Sequence, residues 1–169
     1  MRLFVTKEEC LEFPGSWSLW PAQMYRALNA VEYIDKIKIL EFGAGDGTKA
    51  LAEILNNKGI DYRYFTYEND QRYIIDTDKI TTMIWNDFPD RIIDGIFDLI
   101  IIDGPEGVSR SKWYPLIKKN ARPGTIIVID DFGHYQEFSD ALNANFNYDI
   151  IDQRDRFART GTTWLTVRT

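Results

Sequence analysis

Ile39-Leu-Glu-Phe-Gly-Ala-Gly-Asp-Gly-Thr48 joins an apolar run ending in an acid to glycines at every second position, 43, 45 and 47. The pattern predicts a strand entering a tight turn. Glycines there let a ligand come close to the main chain and tolerate positive φ angles that other residues resist. The run Ala50–Leu55, ALAEIL, then predicts a helix. Its first unpaired amides would face back into the turn, ready for an anionic or hydroxyl-rich group. In outline this is a nucleotide-like binding site.

Upstream, Thr6–Gly15 reads as a short polar-faced segment broken at Pro14-Gly15, with no recognisable chemistry. Trp17 and Trp20 pack over the glycine turn, line a pocket, or belong to the core. Met24, Leu28, Val31 and Ile34 stand at helical spacing, so residues 22–33 predict an amphipathic helix leading into the first strand.

Downstream, Lys58-Gly59 ends the helix and Asp61–Tyr67 alternates aromatic and polar residues as a second strand. Glu68 closes it, about twenty residues past the glycines, where a carboxylate can accept the hydroxyl protons of a ribose. The plain alternative is an exposed strand-end acid; Asn69 or Asp70 could share the ribose role. Gln71–Asp78 predicts a short helix and Ile80–Trp85 a third strand, followed by the turn Asn86-Asp87-Phe88-Pro89.

The continuous apolar run Phe97–Ile102, FDLIII, predicts a parallel strand buried on both faces. Asp103-Gly104-Pro105 stops it. An acid at the carboxyl end of a central strand borders the ligand crevice of an open α/β sheet. It is costly to bury alone, so Asp103 should meet a ligand, a metal or a base. Glu106–Lys112 reads as a polar loop whose Arg110 and Lys112 either hold an acidic substrate group or are solvated. Trp113–Asn120 predicts a short helix, Arg122-Pro123-Gly124 a turn, and Thr125–Ile129 a fifth strand ending at Asp130-Asp131. Asp103, Asp130 and Asp131 thus fall at neighbouring strand ends, a set of hard oxygen ligands that suits Mg²⁺ or Ca²⁺. His134 is the only histidine. It is either a surface residue or a base of near-neutral pKa. Phe138–Phe146 predicts the last helix, and Tyr148–Gln153 and Thr162–Val167 two strands joined by the charged loop RDRFARTG.

At 169 residues the chain is expected to form one domain, with residues 1–21 as an extension and 22–169 as the core. With 44% hydrophobic and 27% charged residues, the composition is ordinary for a globular protein and gives no argument for a disordered or fibrous chain. No apolar run reaches the ~18 residues of a membrane span, and the amino terminus lacks a secretory apolar stretch. No membrane partner is therefore expected. These features, with a single cysteine, Cys10, place the protein in the reducing cytoplasm and exclude a cysteine-rich zinc site. A net charge of −6 argues against a broad nucleic-acid surface.

Glu41-Phe-Gly43-Ala-Gly45-Asp-Gly47 resembles the first motif of the class I S-adenosylmethionine-dependent methyltransferases. The resemblance covers about Ala22 to the carboxyl terminus, where the Pro-Gly turn before the fifth strand and the closing hairpin also fit. It implies a three-layer, Rossmann-like α/β fold with a seven-stranded, mostly parallel sheet and a C-terminal antiparallel hairpin. The cofactor would be S-adenosylmethionine, held by Glu41, Phe42, Gly43, Ala44, Gly45, Thr48, Glu68, Asn69 and Asp103, with Asp87 on the adenine amine. The Asp103, Asp130 and Asp131 set further resembles the metal-dependent small-molecule O-methyltransferases, in which Mg²⁺ binds the acceptor oxygens. Glu106 departs from that pattern, since the family places a lysine there, so the usual general base is missing or moved to Lys112. Asp103, Asp130 and His134 are the candidate catalytic residues, acting on a small-molecule or sugar acceptor. A dimer that completes the pocket stays open. So do two other readings. One is an NAD- or nucleotide-sugar-dependent enzyme, which the loose match of Gly45, Gly47 and Ala50 to a dinucleotide fingerprint allows. The other is a catalytically silent cofactor-binding module.

Overall fold

The computed structural model describes residues 5–11, 21–32, 35–85, 93–104, 108–156 and 162–169. Its helices are α1 (Lys7–Leu11), α2 (Pro21–Ala30), α3 (Asp46–Asn57), α4 (Tyr114–Lys118) and α5 (Gln136–Asn145). Its strands are β1 (Ile37–Phe42), β2 (Tyr62–Glu68), β3 (Ile80–Ile84), β4 (Leu99–Ile102), β5 (Ile126–Ile129), β6 (Asp149–Arg156) and β7 (Thr162–Arg168). They form one seven-stranded sheet in the order β3-β2-β1-β4-β5-β7-β6. The first five strands run parallel, and β7 lies antiparallel between β5 and β6. The mostly parallel sheet with its closing hairpin is therefore present as expected.

Period-two alternation divides the core into two layers. Ile37 and Ile39 of β1 and Tyr62 and Tyr64 of β2 pack beneath α2 and α3, with Met24, Leu28, Leu51 and Leu55. Leu40 and Phe42 face the other way, toward Trp113, Tyr114, Ile117 and Leu142 on the α4 and α5 side. In β4 and β5 every residue is buried because helices cover both faces, which is why LIII and IIVI carry no polar alternation. Arg122-Pro123-Gly124 turns into β5 with Gly124 at φ +97°.

Several local expectations change. Helix α3 begins at Asp46, so Gly47 lies in its first turn rather than in the loop. Gln71–Asp78 is not an α-helix. Asp70 caps a three-residue 3-10 turn, Gln71–Tyr73, by accepting from the Arg72 amide, and Ile74 is already extended. Ile75 then exchanges hydrogen bonds with the Thr82 hydroxyl, which ties the segment to β3 instead. The polar segment at Thr6–Gly15 contains α1, whose Cys10 is fully buried. Glu106–Lys112 is not wholly loop, because Val108–Trp113 forms a 3-10 helix running into α4. Trp17, Trp20, Asp87 and Glu106 lie outside the described residues.

Candidate functional site

Parallel strands all end on one edge, so β1, β2, β4 and β5 deliver Glu41, Glu68, Asp103 and Asp130 to the same rim of the sheet. The chain leaves β1 through Gly43, whose φ of +100° and whose amide, donating to the Tyr67 carbonyl at 2.9 Å, set the direction of the turn. A Cβ on Gly43 would stand 3.2 Å from the Asp103 carbonyl carbon and the Gly104 nitrogen. A Cβ on Gly104 would stand 3.2 Å from the Gly43 Cα, so the turns after β1 and β4 cross so closely that a side chain on either would push the facing backbone aside. Beside Gly45 the situation is the reverse. A Cβ there would meet nothing within 4 Å, and the loop opens onto free space at the start of α3.

Glu41 braces this loop from beneath. It is 3% exposed, and its Oε2 accepts from the Thr48 hydroxyl at 2.6 Å and the Tyr64 hydroxyl at 2.7 Å. Thr48 Oγ1 in turn accepts from the Gly45 amide at 3.0 Å. Burial pushes the Glu41 carboxyl up to about 7, partly offset by those two hydroxyls. Thr48 and Phe42 are fully buried. Phe42 packs against Trp113, ring centroids 4.1 Å apart. These three side chains therefore hold the loop and offer a ligand no exposed surface.

Glu68 lies over the loop. Its Oε2 accepts from the Ala44 amide at 2.8 Å, and its Oε1 from the amides of Asn69 and Asp70, both at 2.8 Å. Three of the roughly four acceptor positions of a carboxylate are thus taken by backbone amides. Asn69 itself is exposed.

Beyond the crossing, Asp103 and Asp130 adjoin each other. Burial pushes Asp103 well above the ordinary carboxylate range, and the neighbouring Asp130 charge adds to this. Arg110 pulls the other way, while Glu41 and a hydrogen bond to the Asp130 carboxyl raise it further. Asp131 is at φ 54°, the one left-handed residue other than glycine among those described. Arg110 is 4% exposed, not solvated as one sequence reading had it. Its Nη1 donates to the Asp130 carbonyl at 2.8 Å and lies 3.7 Å from Asp131 Oδ2, and its Nη2 donates to the Asp103 carbonyl at 3.1 Å. His134 ends a 3-10 turn, Phe132–His134, directly after this corner. Its side chain lies outside what the structure describes.

The expected metal centre is not formed. Among the described residues no three His, Cys, Asp or Glu side chains group to hold an ion. A buried guanidinium already contacts the ends of β4 and β5, so Asp103, Asp130 and Asp131 do not fit Mg²⁺. A cavity of about 510 Å³ lies at the opposite end of the sheet, against Lys118, Arg122, Asn143 and Thr169, away from all of these acids.

No protein-family model matches the sequence, and no curated protein matches it. Solved structures do. Aeropyrum pernix fibrillarin with bound S-adenosylmethionine superposes with a TM-score of 0.62 at 16% identity, over 87% of this chain and 74% of its own. Human methyltransferase-like protein 13 with S-adenosylhomocysteine gives 0.60 at 13% identity, over 87% and 80%. The citrinin polyketide synthase CMeT domain gives 0.56 at 13%, and this chain spans 46% of that longer one. The chain has the class I methyltransferase fold. Within that fold the rim at the ends of β1, β2 and β4 is the crevice expected at a topological switch point, and it is where Gly45 opens. Among the described residues no helix is long and apolar enough to cross a membrane.

The Tyr64 contact with Glu41, the approach of Gly104 to Gly43 and the burial of Arg110 against two strand ends were not anticipated. Arg110 had a legible signal, because residues 110, 113, 114 and 117 form one helical stripe and Trp113, Tyr114 and Ile117 are all fully buried. Tyr64 and Gly104 act through strands that only the sheet brings beside Glu41 and Gly43.

Proposed function

We propose that this chain transfers a methyl group from S-adenosylmethionine to an oxygen nucleophile on a small-molecule or sugar acceptor. The observation that supports this most is the glycine loop, fixed on three sides by Gly43, Glu41 and Glu68 and open at Gly45, in a methyltransferase fold. Gly43, Ala44 and Gly45 would pass the cofactor along the main chain. Glu68, through its remaining acceptor position, and Asn69 would hold the ribose hydroxyls. Asp87, from its place after β3, is assigned the adenine amine. Glu41, Phe42 and Thr48 keep the loop in shape. When bound, the sulfonium supplies an electrophilic methyl group, so the protein has mainly to align the acceptor in line with it and remove one proton.

That proton falls to the Asp103 and Asp130 pair. The Asp103 carboxylate would accept the acceptor's hydroxyl proton, with Asp130 beside it. A carboxylate raised by burial is a better base near neutral pH than an exposed one. His134 is the second candidate for that step. Fibrillarin from Methanococcus jannaschii, a neighbour at 15% identity and TM-score 0.56, is a pre-rRNA processing protein. The net charge of −6 here favours a small acceptor over a long polyanion.

Calorimetric titration of S-adenosylhomocysteine into the protein is the direct test. Micromolar binding is expected, weakened about ten- to a hundredfold in Glu68→Ala, as for a lost charged hydrogen bond. Binding of NAD with no response to S-adenosylhomocysteine would reject the reading. With binding established, release of S-adenosylhomocysteine is followed against sugar and phenol acceptors. Asp103→Asn and His134→Gln then separate the two bases by which variant loses turnover.

A further inference from the structure

Arg110 is a cation that the glycine loop does not use. The 3-10 helix Val108–Trp113 carries it back over the sheet edge, where it is 4% exposed and ties two adjacent strand ends through the carbonyls of the residues just past them. The groups around it come from every neighbouring element. Asp103 follows β4, Asp130 and Asp131 follow β5, Tyr114 opens α4, and the Phe138 ring of α5 lies 5.7 Å from the guanidinium carbon. Glu41 on β1 and Tyr64 on β2 complete the surroundings of Asp103.

The energetics of this corner depend on a fixed positive charge. Three carboxyl groups at neighbouring strand ends repel one another, and burial worsens the repulsion because the medium screens it poorly. A guanidinium stays charged throughout the usable pH range and presents a planar fork of donors. Here that fork spans the Asp103 and Asp130 carbonyls, 3.1 and 2.8 Å away, while the charge lies 3.7 Å from Asp131. A divalent ion added among these acids would have to share the space with that cation. Lysine, a point charge on a flexible stem, would keep the charge without the fork.

We propose that Arg110 is a positioning residue of the transfer reaction: it clamps the ends of β4 and β5 and supplies, in place of a metal, the positive charge against which the Asp103 and Asp130 pair takes the acceptor's proton. The inference rests on the methyl-transfer reading for its chemistry, but its structural half stands apart from that reading. Removing the guanidinium should make the pair hold its proton more tightly, by about tenfold or more, as expected when an opposite charge a few ångströms away is lost.

The experiment is a carbon-13 NMR titration of aspartate carboxyl groups in the wild type, Arg110→Met and Arg110→Lys, each also titrated with Mn²⁺. Calorimetry with S-adenosylhomocysteine accompanies each protein. In Arg110→Met the Asp103 midpoint should rise by the equivalent of about tenfold in proton affinity. Arg110→Lys should stay near the wild-type midpoint but unfold at lower temperature. Millimolar Mn²⁺ should leave the Asp103 and Asp130 signals of the wild type unbroadened. An unchanged midpoint in the Met variant, or selective broadening by Mn²⁺ in the wild type, would overturn the proposal. If Arg110→Met fails to fold, the wild-type Mn²⁺ response and the Lys midpoint decide it, a Lys midpoint about tenfold displaced counting against a role for charge alone. Loss of S-adenosylhomocysteine binding in the wild type would remove the methyl-transfer reading while leaving these carboxyl titrations to judge Arg110.

Discussion

At the glycine corner of the rim, a buried acid, Glu41, is met by two neutral hydroxyls, from Thr48 and Tyr64. At the acid corner, one crossing away, the guanidinium of Arg110 donates to the main-chain carbonyls of Asp103 and Asp130, lies 3.7 Å from the Asp131 carboxylate and acts on the Asp103 carboxyl through its charge. Neutral donors serve a carboxyl group in either protonation state, so Glu41 can hold a proton near neutrality without releasing the loop. A guanidinium only donates and never loses its charge, so it favours ionised acids. The first arrangement fixes a shape, the second fixes a charge. A loop that must present backbone to a ligand needs the former, and groups that must take up a proton need the latter. Gly43 and Gly104 are the seam between the two corners, packed so closely that a side chain on either would have to displace the facing backbone.

The seam offers the largest perturbation. Gly43→Ala places a Cβ 3.2 Å from the backbone after β4 and forces a non-glycine residue to φ +100°. It should destabilise the fold by about 2 kcal/mol or more in urea unfolding and weaken S-adenosylhomocysteine at least about tenfold. Wild-type binding in this variant would show that the two corners are independent.

Glu41→Gln sharpens the contrast between shape and charge. The amide oxygen can still accept from both hydroxyls, so the loop should persist. The pH response should not. The Glu41 carboxyl lies at about 7 in the folded chain against 4.5 for a free group, so the folded state holds a proton the unfolded state has lost. That contribution to stability is fully present below the unfolded value, near pH 4.5, and is lost as pH rises through about 7. Unfolding measured from pH 4.5 to 8 should show the wild type losing up to about 3 kcal/mol relative to Glu41→Gln. Parallel curves for the two proteins would place the shift elsewhere.

The smallest effect is expected from Asp131→Asn. Asparagine tolerates the left-handed backbone at φ 54°, and the Asp131 side chain is 34% exposed and 3.7 Å from its arginine. A change of about 1 kcal/mol or less should follow. A larger loss would mean that Arg110 depends on Asp131 as much as on the two strand-end carbonyls.

The glycine corner was legible because its parts are contiguous or nearly so. Residues 39–48 contain the strand, the acid and the turn, and Glu68 follows at the spacing a second parallel strand requires. The acid corner was legible as far as its acids, each of which ends an apolar run. Its cation was legible only as a residue on the stripe 110, 113, 114 and 117, because a polar segment reads equally as solvated until the fold shows which side of it turns inward. Mg²⁺ was expected for the same reason: three acids at strand ends imply a cation, and the sequence does not say which one. Phe42 and Thr48 were assigned to the ligand by position in a motif, whereas strand alternation turns Phe42 into the aromatic layer with Trp113 and Tyr67. The helix expected at Gln71–Asp78 failed because Asp70 and Thr82 satisfy that segment's backbone in a different way.

By itself the sequence determined which segments become strands, the direction they run, and that several acids and a glycine turn would share one edge, since periodicity and chain punctuation are local properties. Tertiary structure alone decided what each acid meets there. Tyr64 reaches Glu41, Gly104 meets Gly43 and Arg110 closes over Asp103 and Asp130 only once parallel pairing sets residues from separate segments side by side, and partners at that range leave no periodic trace in the chain.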